Sequence, residues 1–308
     1  MDDNRKPILE VNNLSVAFSM YDRAFRKKDL EVIHELTMSA YEGEIIAVVG
    51  SSGSGKSILA HSVMDILPRN AKVKGDIKFC GKDLTHEYIE DIRGKEIAFI
   101  PQSVDFLDPV MRIYKQVIGV NGSKERMKDL FKKYKLTEEV EKMYPFQLSG
   151  GMARRVLISM AMMHEVKLII ADEPTPGLSL DLALEALNSF RELADKGCAI
   201  ILITHDIDLA LKVADKIAVF YAGTIVEIAK ANDFKNGKEY LRHPYSKAFI
   251  DALPQNSFKG LGGFQPYAGK LPKGCLFQDR CPYRKKECSE KINMRRVKGG
   301  EVRCINAD

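Results

Sequence analysis

The chain has 308 residues, 45% of them hydrophobic, with a formal net charge of +5. That is enough apolar content for one large α/β domain with a buried core plus an appendage. The charge is modest for this length and its basic clusters, Arg23–Lys28, Lys132–Lys135 and Arg295–Lys298, are dispersed, so they read as solvated faces and no nucleic-acid partner is expected. The start, MDDNRKP, is charged, and no apolar run reaches the roughly 18 residues of a membrane span, so neither a secretory signal nor a transmembrane helix is expected. No internal repeat or low-complexity tract is visible.

In chain order, the stretch NLSVAF ends at Phe18 and reads as strand. The apolar run Ile45–Val49 predicts a buried strand that feeds Gly50, Ser51, Ser52, Gly53, Ser54, Gly55, Lys56 and Ser57, which satisfy G-x-x-x-x-G-K-[ST]. A helix follows, with apolar residues from Ile58 to Leu67, and is expected to stop at Pro68. This setting lets the glycines curl the backbone so that N–H groups and the helix N-terminus face phosphate oxygens. Lys56 then reaches the β- and γ-phosphates and the Ser57 hydroxyl holds Mg²⁺.

A strand over Ile97–Ile100 leads through Pro101 to Gln102, an uncharged amide able both to coordinate Mg²⁺ and to orient water. Residues from about 103 to 148 carry helical patterns, the turn signals Asp108-Pro109 and Asn121-Gly122, and helix-forming charges from Lys124 to Lys142. LSGGM, Leu148–Met152, follows; Ser149, Gly150 and Gly151 open a helix over Met152–Met163 whose N-terminus is a second anion site. One chain already holds the γ-phosphate with its own loop, so this second site is expected to serve another subunit's nucleotide. The buried strand Leu168–Ala171 ends in Asp172, suited to Mg²⁺, and Glu173, placed as general base for the attacking water. A further strand, Ala199–Ile203, leads to Thr204, His205 and Asp206.

The tail carries Cys275, Cys281, Cys288 and Cys304, four of the six cysteines. Cys80 and Cys198 stand alone and read as buried packing residues. A disulfide reading of the tail conflicts with the reduced compartment of an ATP-hydrolysing protein. The segment also has few large apolar groups, so cross-linking by a metal is expected to supply its stability. The wide C-x5-C-x6-C-x15-C spacing suits a [4Fe–4S] cluster at least as well as Zn²⁺. His243 is a candidate extra ligand or simply a His-Pro turn.

Phosphate loop, Gln102, LSGGM, the Asp172–Glu173 strand end, the turn Pro176–Asp181 and His205, in this order, resemble the ATP-binding cassette (ABC) ATPases. The resemblance implies a P-loop NTPase core over 7–240 with a helical subdomain at about 103–148, and a cysteine-rich extension over 241–308. It implies head-to-tail dimers around two ATP molecules, with Ser149 and Gly151 acting on the partner's γ-phosphate, His205 supporting that phosphate, and an aromatic residue, best matched by Phe18, under adenine. HPYSKAFIDALP (His243–Pro254) and PKGCLFQDRCPYRKKEC (Pro272–Cys288) are similar to the C-terminal extension of ATPase subunits of dipeptide, oligopeptide and nickel importers, in which the cysteines are implied to bind an iron–sulfur cluster. Met152 stands where glutamine is commoner in the family, and Ser179 where the turn usually has aspartate, with Asp181 a substitute only if the turn is longer.

The resemblance therefore points to an ATPase at the cytoplasmic face of the membrane, powering import of peptides, nickel or a metal chelate. Its implied partners are a paralogous ATPase subunit, favoured over a homodimer, two integral-membrane permease subunits and, indirectly, an extracellular substrate-binding protein. The alternative is a soluble ABC ATPase acting on ribosomes or DNA; such proteins commonly carry two cassettes or long coiled-coil insertions, which this sequence lacks.

Overall fold

The structure, a computed structural model, describes residues 6–21, 27–120, 122–253, 256 and 260–307. The charged start before Lys6, the basic residues Arg23 and Arg26, Asn121 and Pro254 lie outside them. The strands are β1 (Pro7–Tyr21), β2 (Lys27–Tyr41), β3 (Ile45–Val49), β4 (Ala71–Phe79), β5 (Lys82–Asp83), β6 (Ile97–Ile100), β7 (Leu168–Asp172), β8 (Ala199–Thr204), β9 (Lys216–Tyr221), β10 (Thr224–Lys230), β11 (Arg295–Val297) and β12 (Gly300–Val302). The helices are α1 (Lys56–Val63), α2 (His86–Ile92), α3 (Ile113–Ile118), α4 (Lys124–Lys133), α5 (Gly150–Ala161), α6 (Leu180–Ala194), α7 (Ile207–Val213), α8 (Ala231–Asn236) and α9 (Pro244–Asp251).

A small antiparallel sheet runs β2-β1-β4-β5, and a large mixed sheet runs β11-β12-β10-β9-β3-β8-β7-β6. In the large sheet β9, β3, β8, β7 and β6 are parallel. The strands β3, β7 and β8 are buried along their whole length, as expected where both faces of a parallel sheet are covered. Alternation then divides one strand between two cores: Ile46 and Val48 pack with the small sheet and α1, while Ile45, Ala47 and Val49 pack on the helical side. On that side α3, α4 and α5 form the helical region, closed by Ile113, Val117, Met127, Leu130 and Phe131, all buried.

Two helices end earlier than their apolar pattern. In α1 the chain turns left-handed at Asp65 (φ 50), and the Ile66 N–H donates to the His61 carbonyl at 3.0 Å, a Schellman closure that stops the helix before Pro68. The charged stretch from Lys124 is cut by the same device, with Lys135 at φ 53 and the Leu136 N–H donating to the Phe131 carbonyl at 2.8 Å. Cys198 is buried as expected, but Cys80 is exposed. It sits left-handed (φ 50) in the tight turn between β4 and β5, which projects it away from the core.

The extension is built onto the large sheet. Its hairpin β11–β12 pairs antiparallel with β10, through Glu227↔Val302 and Ile228↔Glu301. Fully buried Glu227 accepts the backbone N–H groups of Arg242 and His243, each at 2.8 Å, and the Arg242 guanidinium at 3.4 Å. Arg242 also pairs with Asp233 at 2.8 Å and donates to the carbonyls of Val297 (2.8 Å) and Lys298 at the hairpin turn. Phe277, equally buried, packs on the rings of Tyr221, Tyr245 and His243. The lean apolar content of the tail is thus offset by groups of the main body. His243 serves as the N-cap of α9, its Nδ1 accepting the Tyr245 N–H at 3.0 Å, so the His-Pro pair is a helix start. Among the described residues no helix is long and apolar enough to cross a membrane.

Two outcomes are expected. Glu227→Ala removes one of the two carboxylates paired with Arg242 and leaves the buried N–H groups of Arg242 and His243 without their acceptor, so it should lower unfolding free energy by about 2–5 kcal/mol, read as a shifted urea midpoint. Burial drives the His243 pKa down to about 3, against roughly 6.5 in an unfolded chain. Between those values the unfolded state binds the extra proton, so stability is complete above the upper one and declines as the pH falls towards the lower. Urea titrations at a series of pH values should show His243→Asn, which keeps a capping oxygen, losing less stability than the wild type on acidification.

Candidate functional site

Four parallel strands deliver the site residues to one edge of the sheet. Gly50 follows β3, His205 follows β8, Asp172 and Glu173 end β7, and Gln102 lies just past β6. The loop from Gly50 to Ser57 joins β3 to α1. A side chain at Gly50 would collide with the Phe220 carbonyl, and Gly55 takes φ 107 at the N-cap of α1. Lys56 folds back onto its own loop, its ammonium donating to the carbonyls of Gly50 (2.9 Å) and Ser51 (3.0 Å). Burial lowers the lysine pKa, while Glu173 and Asp172 oppose that shift. A cavity of about 530 Å³ is lined by Ser52 to Ser57 together with Gln102 and Glu173. Gln265, Pro266, Tyr267, Ala268 and Leu271, which no sequence motif had marked, line it too.

Asp172 is fully buried, and neither of its carboxylate oxygens has a hydrogen-bond partner among the described residues. Burial raises its pKa, and the nearby Ser57 hydroxyl works the other way. Two orphaned carboxylate oxygens beside a serine hydroxyl form the hard oxygen donor set that Mg²⁺ prefers, so these residues fit the ion. Glu173 sits left-handed at φ 49, its N–H tied to the Ile203 carbonyl at 2.9 Å. This conformation, costly for a non-glycine residue, turns its carboxylate off the strand and onto the cavity wall. There it is paired with His205, whose Nδ1 lies 2.9 and 2.8 Å from the two oxygens.

Gln102 is held by a residue that the sequence did not single out. Arg154 of α5 is buried, and its guanidinium donates to the carbonyls of Pro101 (2.7 Å) and Gln102. The available signal was an arginine placed on the apolar face of α5, between Ala153 and Val156. Ser149 is the N-cap of the same helix, its hydroxyl accepting the Met152 N–H at 3.3 Å. Ser149, Gly150 and Gly151 are not on the cavity wall; the first two are exposed and Gly151 abuts the Gly177 carbonyl. Ser179 occupies the N-cap position of α6 and Asp181 lies in its first turn. Phe18 is half-buried on β1 against the small-sheet core, paired with Leu30 and Ala71, and does not line the cavity.

The four tail cysteines are gathered in one neighbourhood. The Cys275 N–H donates to the Cys288 carbonyl at 2.8 Å, and burial, reinforced by the other three thiols, pushes the Cys275 pKa up to about 11. Cys281 and Cys304 are raised by burial in the same way. Yet among the described residues no three His, Cys, Asp or Glu side chains close into a group able to hold a metal ion. The iron–sulfur or zinc site expected from the sequence is thus without support among the described residues. The Glu227–Arg242 contacts and the ring cluster around Phe277 tie the extension to the main body.

Residues 33–176 match the ABC transporter family model, and residues 226–288 match that of the oligopeptide/dipeptide transporter C-terminal region. The oligopeptide transport ATP-binding protein OppD of Salmonella typhimurium is 33% identical over 318 residues, covering 96% of this chain and 92% of the relative. The dipeptide transport ATP-binding protein DppD of Escherichia coli is 34% identical over 303 residues, covering 91% and 90%. Among solved structures, the ATP-binding cassette MJ0796, a dimer bound to ADP and Pi, superposes with a TM-score of 0.63 at 22% identity, covering 72% of this chain and 98% of the cassette. That last likeness concerns the fold, whereas the first two extend over nearly the full length of both partners. The chain belongs to the ABC ATPases, in the oligopeptide and dipeptide transporter family.

Proposed function

We propose that this protein is the ATP-hydrolysing subunit that powers a peptide importer from the cytoplasmic face of the membrane. The observation that carries the reading is the meeting of phosphate loop, Gln102 and the Glu173–His205 pair at one cavity. The peptide cargo rests on the names of the relatives, oligopeptide and dipeptide transport ATP-binding proteins.

The loop N–H groups from Gly50 to Ser57 and the N-terminus of α1 bind the phosphates. Lys56 exchanges the Gly50 and Ser51 carbonyls for β- and γ-phosphate oxygens. Ser57, Gln102 and Asp172 would hold Mg²⁺, which would offset charge on those oxygens. Glu173 accepts the proton of the attacking water, and to do so its carboxylate must be released by His205. The histidine then turns its ring to the γ-phosphate, so base and phosphate ligand become available together. Arg154 keeps Gln102 attached to α5, which links events at the cavity to the helical region.

The exposed Ser149 and Gly150, with Gly151, serve the nucleotide of a facing cassette in a head-to-tail dimer. A paralogous ATPase subunit is favoured as that partner. Two permease subunits dock on the helical region, where Phe106, Val110 and Met111 stand exposed. An extracellular binding protein delivers cargo to those subunits.

Glu173→Gln keeps the shape of the site and loses the base. MgATP affinity should be retained while steady-state phosphate release falls by about 10²-fold or more; undiminished release would remove Glu173 from the base role. Ser149→Arg should leave MgATP binding by the isolated subunit intact and abolish ATP-dependent dimerisation, followed by sedimentation velocity. Normal dimerisation by that variant would sink the composite-site model.

A further inference from the structure

A second cavity, of about 450 Å³, lies between β2, the start of β10 and the extension, and its size suits a small ligand. We infer that it binds a zwitterion, an amino acid or short peptide with free termini, whose ammonium group meets Glu31 and whose carboxylate meets Arg303. The polar lining is Asp29, Glu31, His34 and Glu35 of β2, with Thr224 and Arg303. Lys56, Gln102 and Glu173 line a different cavity, so this inference and the reading of a MgATP site can fail separately.

Local backbone geometry gathers these groups. Strict alternation along β2 would send His34 and Glu35 to opposite faces. The step along β1 from Leu14 to Val16 is instead matched by the longer step along β2 from Leu36 to Ile33, which makes a bulge. Glu35 takes a left-handed φ of 40 inside it, its N–H donating to the Ser15 hydroxyl at 3.0 Å, and both His34 and Glu35 line the cavity. The His34 N–H donates to the Gly223 carbonyl at 2.8 Å, which fixes the bulge beside Thr224.

The charges there are unevenly matched. Asp29 is paired with Lys72 at 2.7 Å and Glu35 with Lys291 at 2.5 Å. Among the described residues Glu31 has the His34 ring, whose Nδ1 lies 3.2 Å away, and no lysine or arginine. Burial lowers the His34 pKa against the opposing pull of Glu31, so at neutral pH the ring brings no charge. Arg303 donates to the carbonyls of Ile292 (3.1 Å) and Glu35 (2.8 Å), both neutral acceptors, and its buried Nε has no partner among the described residues. A carboxylate short of a cation and a guanidinium bonded to no carboxylate, in one cavity, complement the two ends of a zwitterion. Thr224 adds an independent sign: it is 2% exposed, and its hydroxyl also has no partner among the described residues, a lack that a polar ligand atom would meet. Leu271, Pro272 and Leu276 supply apolar surface for a ligand side chain.

The test is equilibrium dialysis of the full chain against radiolabelled glycyl-leucine, with the unlabelled dipeptide, its N-acetylated form and its C-terminal amide as competitors. The free dipeptide should be retained, and each blocked form should compete about tenfold less well or worse, the scale of one charge-assisted hydrogen bond. Glu31→Gln, at a half-exposed position that the core does not depend on, should weaken retention by about tenfold and erase the difference between the free and acetylated forms. No retention of the dipeptide by the wild type overturns the inference, and so does unchanged retention by Glu31→Gln. An amide that competes as well as the free dipeptide also overturns it, because the cavity would then be a simple cation site. MgATP binding by the same wild-type preparation reports on the other cavity, and its absence alongside a retained dipeptide would count against the MgATP reading alone.

Discussion

A strand buried on both faces has nowhere to put polar chemistry except at its ends, and this constraint organises the molecule. The strands β3, β8, β7 and β6 are adjacent and parallel, so their C-terminal ends fall on one edge of the sheet. Glycine loop, histidine, paired acids and glutamine therefore meet without any being adjacent in sequence. Apolar burial along the strands is what lets the edge tolerate the left-handed Glu173 and the unpartnered carboxylate oxygens of Asp172.

The extension obeys a different constraint. Its own apolar residues are few, and it is held through a buried ion pair, backbone N–H groups aimed at one carboxylate, and rings inserted beside β9. Buried ion pairs are poor sources of net stability compared with apolar packing of equal volume. What Glu227 and Arg242 supply is a unique position, since the same two side chains reach β10, the start of α9 and the turn of the β11–β12 hairpin. The wall from Gln265 to Leu271 is carried to the cavity on that frame.

Most of the cavity was legible in the sequence because each element has a local signature. Ile45–Val49 and Ile97–Ile100 form strands over the expected residues, since continuous apolar runs admit no other register. The ends of α1 and α4 were not legible, because Asp65 and Lys135 adopt a left-handed conformation that neither residue type advertises. Arg154, the wall formed by Gln265 and Tyr267, and the anchoring role of Glu227 depend on contacts between residues far apart in sequence. The thiols show the limit in another way. Cys275, Cys281, Cys288 and Cys304 do come together, but their number alone does not say what holds them there.

Pairing of the hairpin with β10 also changes what the sheet shows to solvent. From Thr224 to Ala229 the strand is buried, and Ile225, Val226 and Ile228 are among its side chains. Without β12 that strand would be the rim of the large sheet, an unpaired apolar edge of the kind that templates aggregation. The extension ends the sheet instead in β11, a three-residue strand bearing Arg295 and Arg296, both exposed. Short length and positive charge at the rim discourage another chain from adding itself there, so the β11–β12 hairpin keeps the sheet finite.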